Sequence, residues 1–276
     1  MRAKAISIVF LLCCLSVLQC SIFGVAENAS WDCPECGRTG ITRNYCGGCG
    51  YPAPWIDGTA GKLSRENFSK VGNIVRFGHY EQDNNLDNGQ EEIEWIVLDV
   101  QQGKSLFLSK YGLDVKPYNN HIAKITWENC SLRDWLNNDF LKTAFIDEEQ
   151  SAVLTTKVDN SKDQGAYLNS DIDGGNNTQD QIFLLSYHEA FDLYLKSDSA
   201  RQCVPTNYAE AQGAYISSSH KIGDQNTGWW WLRSPGGNRN RGALLLDYGG
   251  PGNYYVDHGN VCVRPALWIN LESDLF

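Results

Sequence analysis

The sequence holds a single methionine, and it is the first residue. It holds no run of basic residues. Its 23 Lys and Arg stand against 33 Asp and Glu, giving a net charge of −10 and a pI near 4.9. That shortage argues against a nucleic-acid partner, because phosphate backbones are met by clustered cations. It argues equally against electrostatic docking on anionic lipid. Beyond the N-terminal segment no apolar run is long enough to span a bilayer. The five histidines lie far apart, and none has the spacing of a metal-ligand pair, so each reads as a surface or packing residue. One further absence is local. The 27 residues from Gly236 to Cys262 contain no Lys, Glu, Gln, Met or Trp. Those five types make up 47 of the 276 residues, so four or five of them would be expected there.

What is present belongs to a folded protein. Aromatics are 12% of the chain, with nine Trp and thirteen Tyr, and the length suffices for one large core or two smaller ones. Arg2 and Lys4 precede an apolar stretch from Ile6 to Leu18, too short to cross a membrane. Residues 1–20 therefore read as an export signal. Two endings stay open. Cys20 reads as a lipid-acceptor cysteine after Val17 and Leu18, with Gln19 an atypical neighbour; a plain cut after Ala26, with Gly24 and Ala26 as small residues, is the alternative. In either case the mature protein leaves the cytoplasm, to an outer or cell-surface membrane, the periplasm or the medium. It meets a membrane only through a lipid anchor.

Cys33, Cys36, Cys46 and Cys49 form two C-x2-C pairs around a nine-residue spacer. Two such knuckles close a tetrahedral thiolate site for zinc, with sulfur at about 2.3 Å. Residues 31–51 are thus expected to be a short structural zinc ribbon. Two disulfides remain an alternative in an oxidising compartment. A redox pair is another, although no thioredoxin-like pattern surrounds the cysteines. Residues 52–66 carry two Pro and two Gly and read as a linker. The main domain is expected over 67–276.

In that domain, Asn73–Tyr80 reads as a strand. Ile93–Val100, a turn at Gln101–Lys104 and the following SLFLSK read as a hairpin. Ser131 opens a helix with Asp134 in capping-box position and Leu132, Trp135, Leu136 and Phe140 on one face. Ser186 opens another, with Glu189 in the same capping role. Leu168–Asp180 reads as a long polar surface loop. Its DIDGGNN stretch lacks the glycine and closing glutamate of a helix–loop–helix calcium site. Few helices and many short strands give an α+β class.

The blocks EWIVLDVQQGKSLFLSKYGLDVKPY, TWENCSLRDWLNNDFLKTAF, QIFLLSYHEAF, WWWLRSPG and VRPALWINL, in that order, resemble an uncharacterised bacterial domain often placed behind zinc ribbons in exported proteins. That domain is similar to the C-type-lectin-like fold of formylglycine-generating enzymes. The closest likeness is to variable lipoproteins of diversity-generating retroelements, and it runs over roughly 67–271. The resemblance implies that an RNA template is copied with substitution at adenines. Changing either adenine of an AAT or AAC codon never yields Lys, Glu, Gln, Met or Trp, the five types missing from 236–262. A surface loop of fixed sequence is the alternative.

Tyr supplies rigid contact area while Asn, Gly and Asp supply adaptable hydrogen bonds, so the segment suits ligand binding from either origin. Tyr248, Tyr254 and Tyr255 are the expected anchors. Asn238, Arg239, Asn240, Arg241, Leu246, Asp247, Asn253, Asp257, His258 and Asn260 are the expected surround, facing a protein or glycan. Trp229, Trp230, Trp231 and Trp268 are expected as apolar clamps. Arg233 and Arg264 are expected as structural ties. A structural envelope protein is the alternative function. A formylglycine-generating oxidase is the weakest fit, since that chemistry needs two close cysteines late in the chain, and Cys203 and Cys262 are 59 residues apart. The protein is expected not to be an enzyme.

Overall fold

A computed structural model of the protein describes residues 63–168 and 171–276, together with Thr39. Cys20, the four ribbon cysteines and residues 52–62 lie outside the described residues. The fold is α+β, with mostly short strands and a few short helices. In chain order the strands are β1 (Ile74–Tyr80), β2 (Glu91–Gln101), β3 (Lys104–Ser109), β4 (Asp114–Val115), β5 (Thr156–Val158), β6 (Thr178–Asp180) and β7 (Ile182–Phe183). They continue with β8 (Ile216–Ile222), β9 (Gln225–Gly228), β10 (Trp230–Pro235), β11 (Arg241–Leu245), β12 (Pro251–Tyr255), β13 (Cys262–Val263) and β14 (Ala266–Asn270).

Two five-stranded sheets form the body, one ordered β1-β2-β3-β14-β7 and the other β12-β11-β10-β13-β4. The β2–β3 hairpin forms where the apolar, β-branched run and the turn after it put it. Ile93, Trp95 and Val97 are fully buried and their neighbours face outward. Gly103 takes a positive φ in its turn. The pair β5–β6 forms a separate ribbon, as does β8–β9.

The chain passes between the sheets four times, twice by short links, at 110–113 and at 264–265. Arg264 fastens one short link to the other. Its Nε donates to the Ser109 carbonyl at 2.9 Å and its Nη1 to the Gln202 carbonyl at 3.4 Å, and its guanidinium lies 4.8 Å from the centre of the Trp230 ring. Arg233 is the second buried tie. It grips both carboxylate oxygens of Glu189 and also donates to the carbonyls of Leu184 and Asp159. Glu189 closes the expected capping box, since its Oε2 accepts the Ser186 N–H and its own N–H donates to Ser186 Oγ.

Three sequence expectations are corrected. The helix near Ser131 is capped by Cys130, whose Sγ accepts the Arg133 N–H, while Asp134 turns to Asn138; the helix then loosens into a π turn over Leu136–Phe140. Leu168–Asp180 ends in a strand, and the Asp180 carboxylate is buried under Trp127 Nε1 (2.9 Å) and Arg133 Nε (2.6 Å). Residues 63–66 belong to the domain and not to the linker. Leu63 N–H donates to the Leu275 carbonyl, and Ser64 caps a one-turn helix, Arg65–Phe68.

Candidate functional site

Segment 236–262, expected as a loop, contains a hairpin with a packed interior. β11 and β12 pair from Arg241↔Tyr255 to Leu245↔Pro251. Ala243, Leu244, Leu245, Val256, Val261 and Cys262 are buried. A strand covered on both faces shows a continuous apolar run, not an alternation, which is why ALLL carried no strand signature. Of the expected contact residues, Asn238, Arg239, Tyr248, Tyr254, Tyr255 and Asp257 are exposed. Asn240, Arg241, Leu246, Asn253, His258 and Asn260 are half-buried.

The three tyrosines do not share one face. Tyr254 and Tyr255 leave neighbouring strand positions on opposite sides, yet their rings meet edge to face with centres 6.3 Å apart, while Tyr248 lies elsewhere. On one side the Arg241 guanidinium lies 4.3 Å from the centre of the Tyr255 ring, and Arg241 Nη1 donates to Asn253 Oδ1 at 3.3 Å. On the other, Tyr254 packs on His258 with ring centres 3.9 Å apart and approaches Trp229 at 6.2 Å. Trp229, expected as a clamp, is half-buried and stacks on Tyr215 at 4.1 Å. Tyr248 stands apart at the hairpin turn, 5.8 Å from His220. Arg239 reaches a polar cleft of about 370 Å³ shared with Lys124, Glu128 and Asp173.

Asp247, expected among the contact residues, is buried. Its side chain is 12% exposed, and its carboxylate takes Ser217 Oγ at 2.6 Å, His220 Nδ1 at 2.8 Å and Trp229 Nε1 at 3.2 Å. Its carbonyl takes Thr227 Oγ1 at 2.8 Å. Burial pushes the Asp247 carboxyl up, but the hydrogen bonds from Ser217, His220 and Trp229 outweigh it and hold the group below its ordinary value. Asp247 thus pegs the variable-looking segment to the β8–β9 ribbon. Tyr215 and His220 were missed by sequence reasoning because they arrive from that ribbon, whose polar ISSSHKI strand shows no apolar face.

Two other clusters bear on chemistry. Glu81, Asp83 and Glu91 bring one carboxylate oxygen each within 4.8 Å of one another, a donor set of the kind that binds hard cations. Backbone N–H groups already serve them: Gln82 donates to Glu91 at 2.7 Å and Asn85 to Glu81 at 3.0 Å. Cys203 and Cys262, distant in sequence, meet at Gly112. A β-carbon there would lie 3.0 Å from the Cys262 sulfur and 3.7 Å from that of Cys203. Both thiols are buried, and burial pushes both up, away from the thiolate form.

Residues 102–271 match the profile of a family described as a domain of unknown function, DUF6273. The chain belongs to that family. No curated protein and no solved structure matches it. The matched region runs from the β2–β3 turn to just past β14, so the β11–β12 hairpin, its peg at Asp247 and the two buried arginines all lie inside the DUF6273 domain.

Proposed function

We propose that this protein is an exported, surface-displayed ligand-binding protein, a receptor or adhesin. Its β11–β12 hairpin presents the contact residues from a C-type-lectin-like DUF6273 domain. In this reading Cys20 carries the lipid anchor, the four-cysteine ribbon holds a structural zinc, and segment 236–262 is diversified by a retroelement. The ligand is a protein or a glycan.

One observation carries the reading. Among the described residues, the aromatic side chains that stay exposed are Tyr248, Tyr254 and Tyr255, at 44%, 37% and 41%, and all three fall in this segment. Exposed tyrosine costs solvation without stabilising the fold, and contact surfaces are where such residues are useful. The surround of Asn, Arg and Asp supplies adaptable hydrogen bonds.

Mutating Tyr254 and Tyr255 together to Ala is expected to leave the melting temperature nearly unchanged, since exposed substitutions stay within about 0.5 kcal/mol. The same change is expected to weaken a ligand captured by the wild-type protein by more than about 2 kcal/mol. Trp230→Ala is expected to do the reverse and cost about 3–5 kcal/mol of stability, because Trp230 is fully buried. If the tyrosines prove essential for folding and dispensable for every ligand tried, the reading fails.

A further inference from the structure

We infer that the outer edge of β12 receives an extended segment of a partner polypeptide as an added strand. This rests on the ligand-binding reading and gives it a partner class. β12 is an edge strand: among the described residues, β11 alone pairs with it in its sheet. The direction of its backbone groups follows from bonds at the two ends of the hairpin. Leu246 N–H donates to the Gly250 carbonyl, and Val256 N–H to the Asn240 carbonyl. In an antiparallel pair, bonded residues alternate with unbonded ones. Gly252 and Tyr254 therefore point their backbone groups at β11. Pro251, Asn253 and Tyr255 point theirs away.

The outward set is the Pro251 carbonyl, the Asn253 N–H and carbonyl, and the Tyr255 N–H. Among the described residues none of these four groups has a hydrogen-bond partner; the Tyr255 carbonyl accepts the His258 N–H at 3.1 Å. The opposite edge of the same sheet is engaged. Beside β4, Gly112 N–H donates to the Val204 carbonyl at 3.0 Å and Thr206 N–H to the Gly112 carbonyl at 2.9 Å. Natural sheets guard open edges with charges, proline or cover. The residues of β12 carry no charge, and its Pro251 stands at the first position, leaving the donors at 253 and 255 free.

Donors and acceptors repeating every second residue match another extended backbone, whose groups repeat at the same interval. A glycan has no such period. A guest strand would place alternate side chains beside Tyr254 on one side and Tyr255 on the other. In such additions main-chain bonds supply affinity and the flanking side chains supply choice.

The test uses the full chain and a phage-displayed library of linear random peptides, with an enriched peptide then synthesised. Amide hydrogen exchange is followed residue by residue. In the free chain, the amides of Asn253 and Tyr255 are expected to exchange fast and those of Gly252 and Tyr254 slowly. With peptide bound, Asn253 and Tyr255 are expected to become protected. Asn253→Pro removes one outward donor while leaving the bonds to β11 intact. It is expected to weaken the peptide by roughly fivefold to tenfold, the loss of one hydrogen bond, whereas Asn253→Ala, which keeps the donor, changes little. The exchange pattern of wild type stands as the deciding measurement if the proline variant folds poorly. Failure to enrich any peptide overturns the inference, as does binding that leaves 253 and 255 unprotected. Protection in the free chain overturns it too, whether from the chain's own N-terminal part or, when dependent on concentration, from a second copy. Binding that depends on the tyrosines without protecting those amides removes the strand addition and leaves the ligand-binding reading standing.

Discussion

Replacing Asp247 with Ala separates a peg from a contact residue. The carboxylate serves three side-chain donors, and its removal strands them unequally. The His220 side chain is 42% exposed and can turn to water. Ser217 Oγ is buried, and Trp229 Nε1 is held by the stack on Tyr215. An unsatisfied buried donor costs about 1–3 kcal/mol, so two of them amount to about 2–4 kcal/mol once partial relaxation is allowed. For a domain of this size that is a fall in melting temperature of roughly 4–16 °C. The assay is thermal unfolding followed by circular dichroism, run beside binding of a ligand captured by the wild-type protein. The pH dependence is a second signature. The folded-state carboxyl lies below its unfolded value, so its stabilisation is complete above about pH 4 and is lost as pH falls through the folded value. Asp247→Ala should therefore lose less stability than wild type on acidification below about pH 4. A variant that melts within about 1 °C of wild type yet no longer binds would falsify the assignment and return Asp247 to the contact set.

Three further outcomes are expected. Glu189→Ala leaves the buried Arg233 guanidinium without its carboxylate and should cost about 3–5 kcal/mol in a denaturant titration, whereas adding Arg233→Met should recover part of the loss; equal effects of single and double variants would count against a coupled pair. The Glu149 carboxyl is pushed up to about 7, chiefly by burial, so the folded state holds its proton more tightly than the unfolded one and stability should fall as pH rises from about 4.5 to 7; Glu149→Gln should flatten that slope, on the order of 3 kcal/mol, and an unchanged slope would remove Glu149 as its cause. The ribbon should retain one zinc per chain on purification without added metal and lose it on Cys33→Ser, whereas disulfide mapping that finds Cys33–Cys36 or Cys46–Cys49 bridged would exclude the site.

The parts of the fold legible in the sequence are those whose cause is local. Alternation marks β1 and β2 because one face of each meets the core. The box between Ser186 and Glu189 is legible because both partners sit within one helical turn. What stays hidden depends on distant chain. Three donors from residues 217, 220 and 229 decide that Asp247 is buried, and nothing adjacent to Asp247 signals them. Cys203 and Cys262 meet because β13 runs parallel to β10 with Cys262 opposite Trp230, and Gly228 N–H donates to the Cys203 carbonyl. A separation of 59 residues conceals that meeting. The exposed tyrosines were legible from composition, but their placement on two sides of an edge strand required the register.

A face that tolerates many residues and a strand that must pack are compatible only if the exposed side chains carry no folding information. The β11–β12 hairpin meets this condition by dividing the work along its length. Its fold rests on backbone pairing and on Ala243, Leu244, Leu245, Val256 and Val261, all buried. Its polar and aromatic residues reach outward and touch mainly one another, as Arg241 touches Tyr255 and Tyr254 touches His258. Asp247 breaks the division. It belongs by residue type to the outward set and by burial to the inward one. Tolerance to substitution should therefore extend across Tyr248, Tyr254 and Tyr255 and stop at Asp247. What limits such a segment is the one polar side chain on which the framework depends, and not its aromatic content.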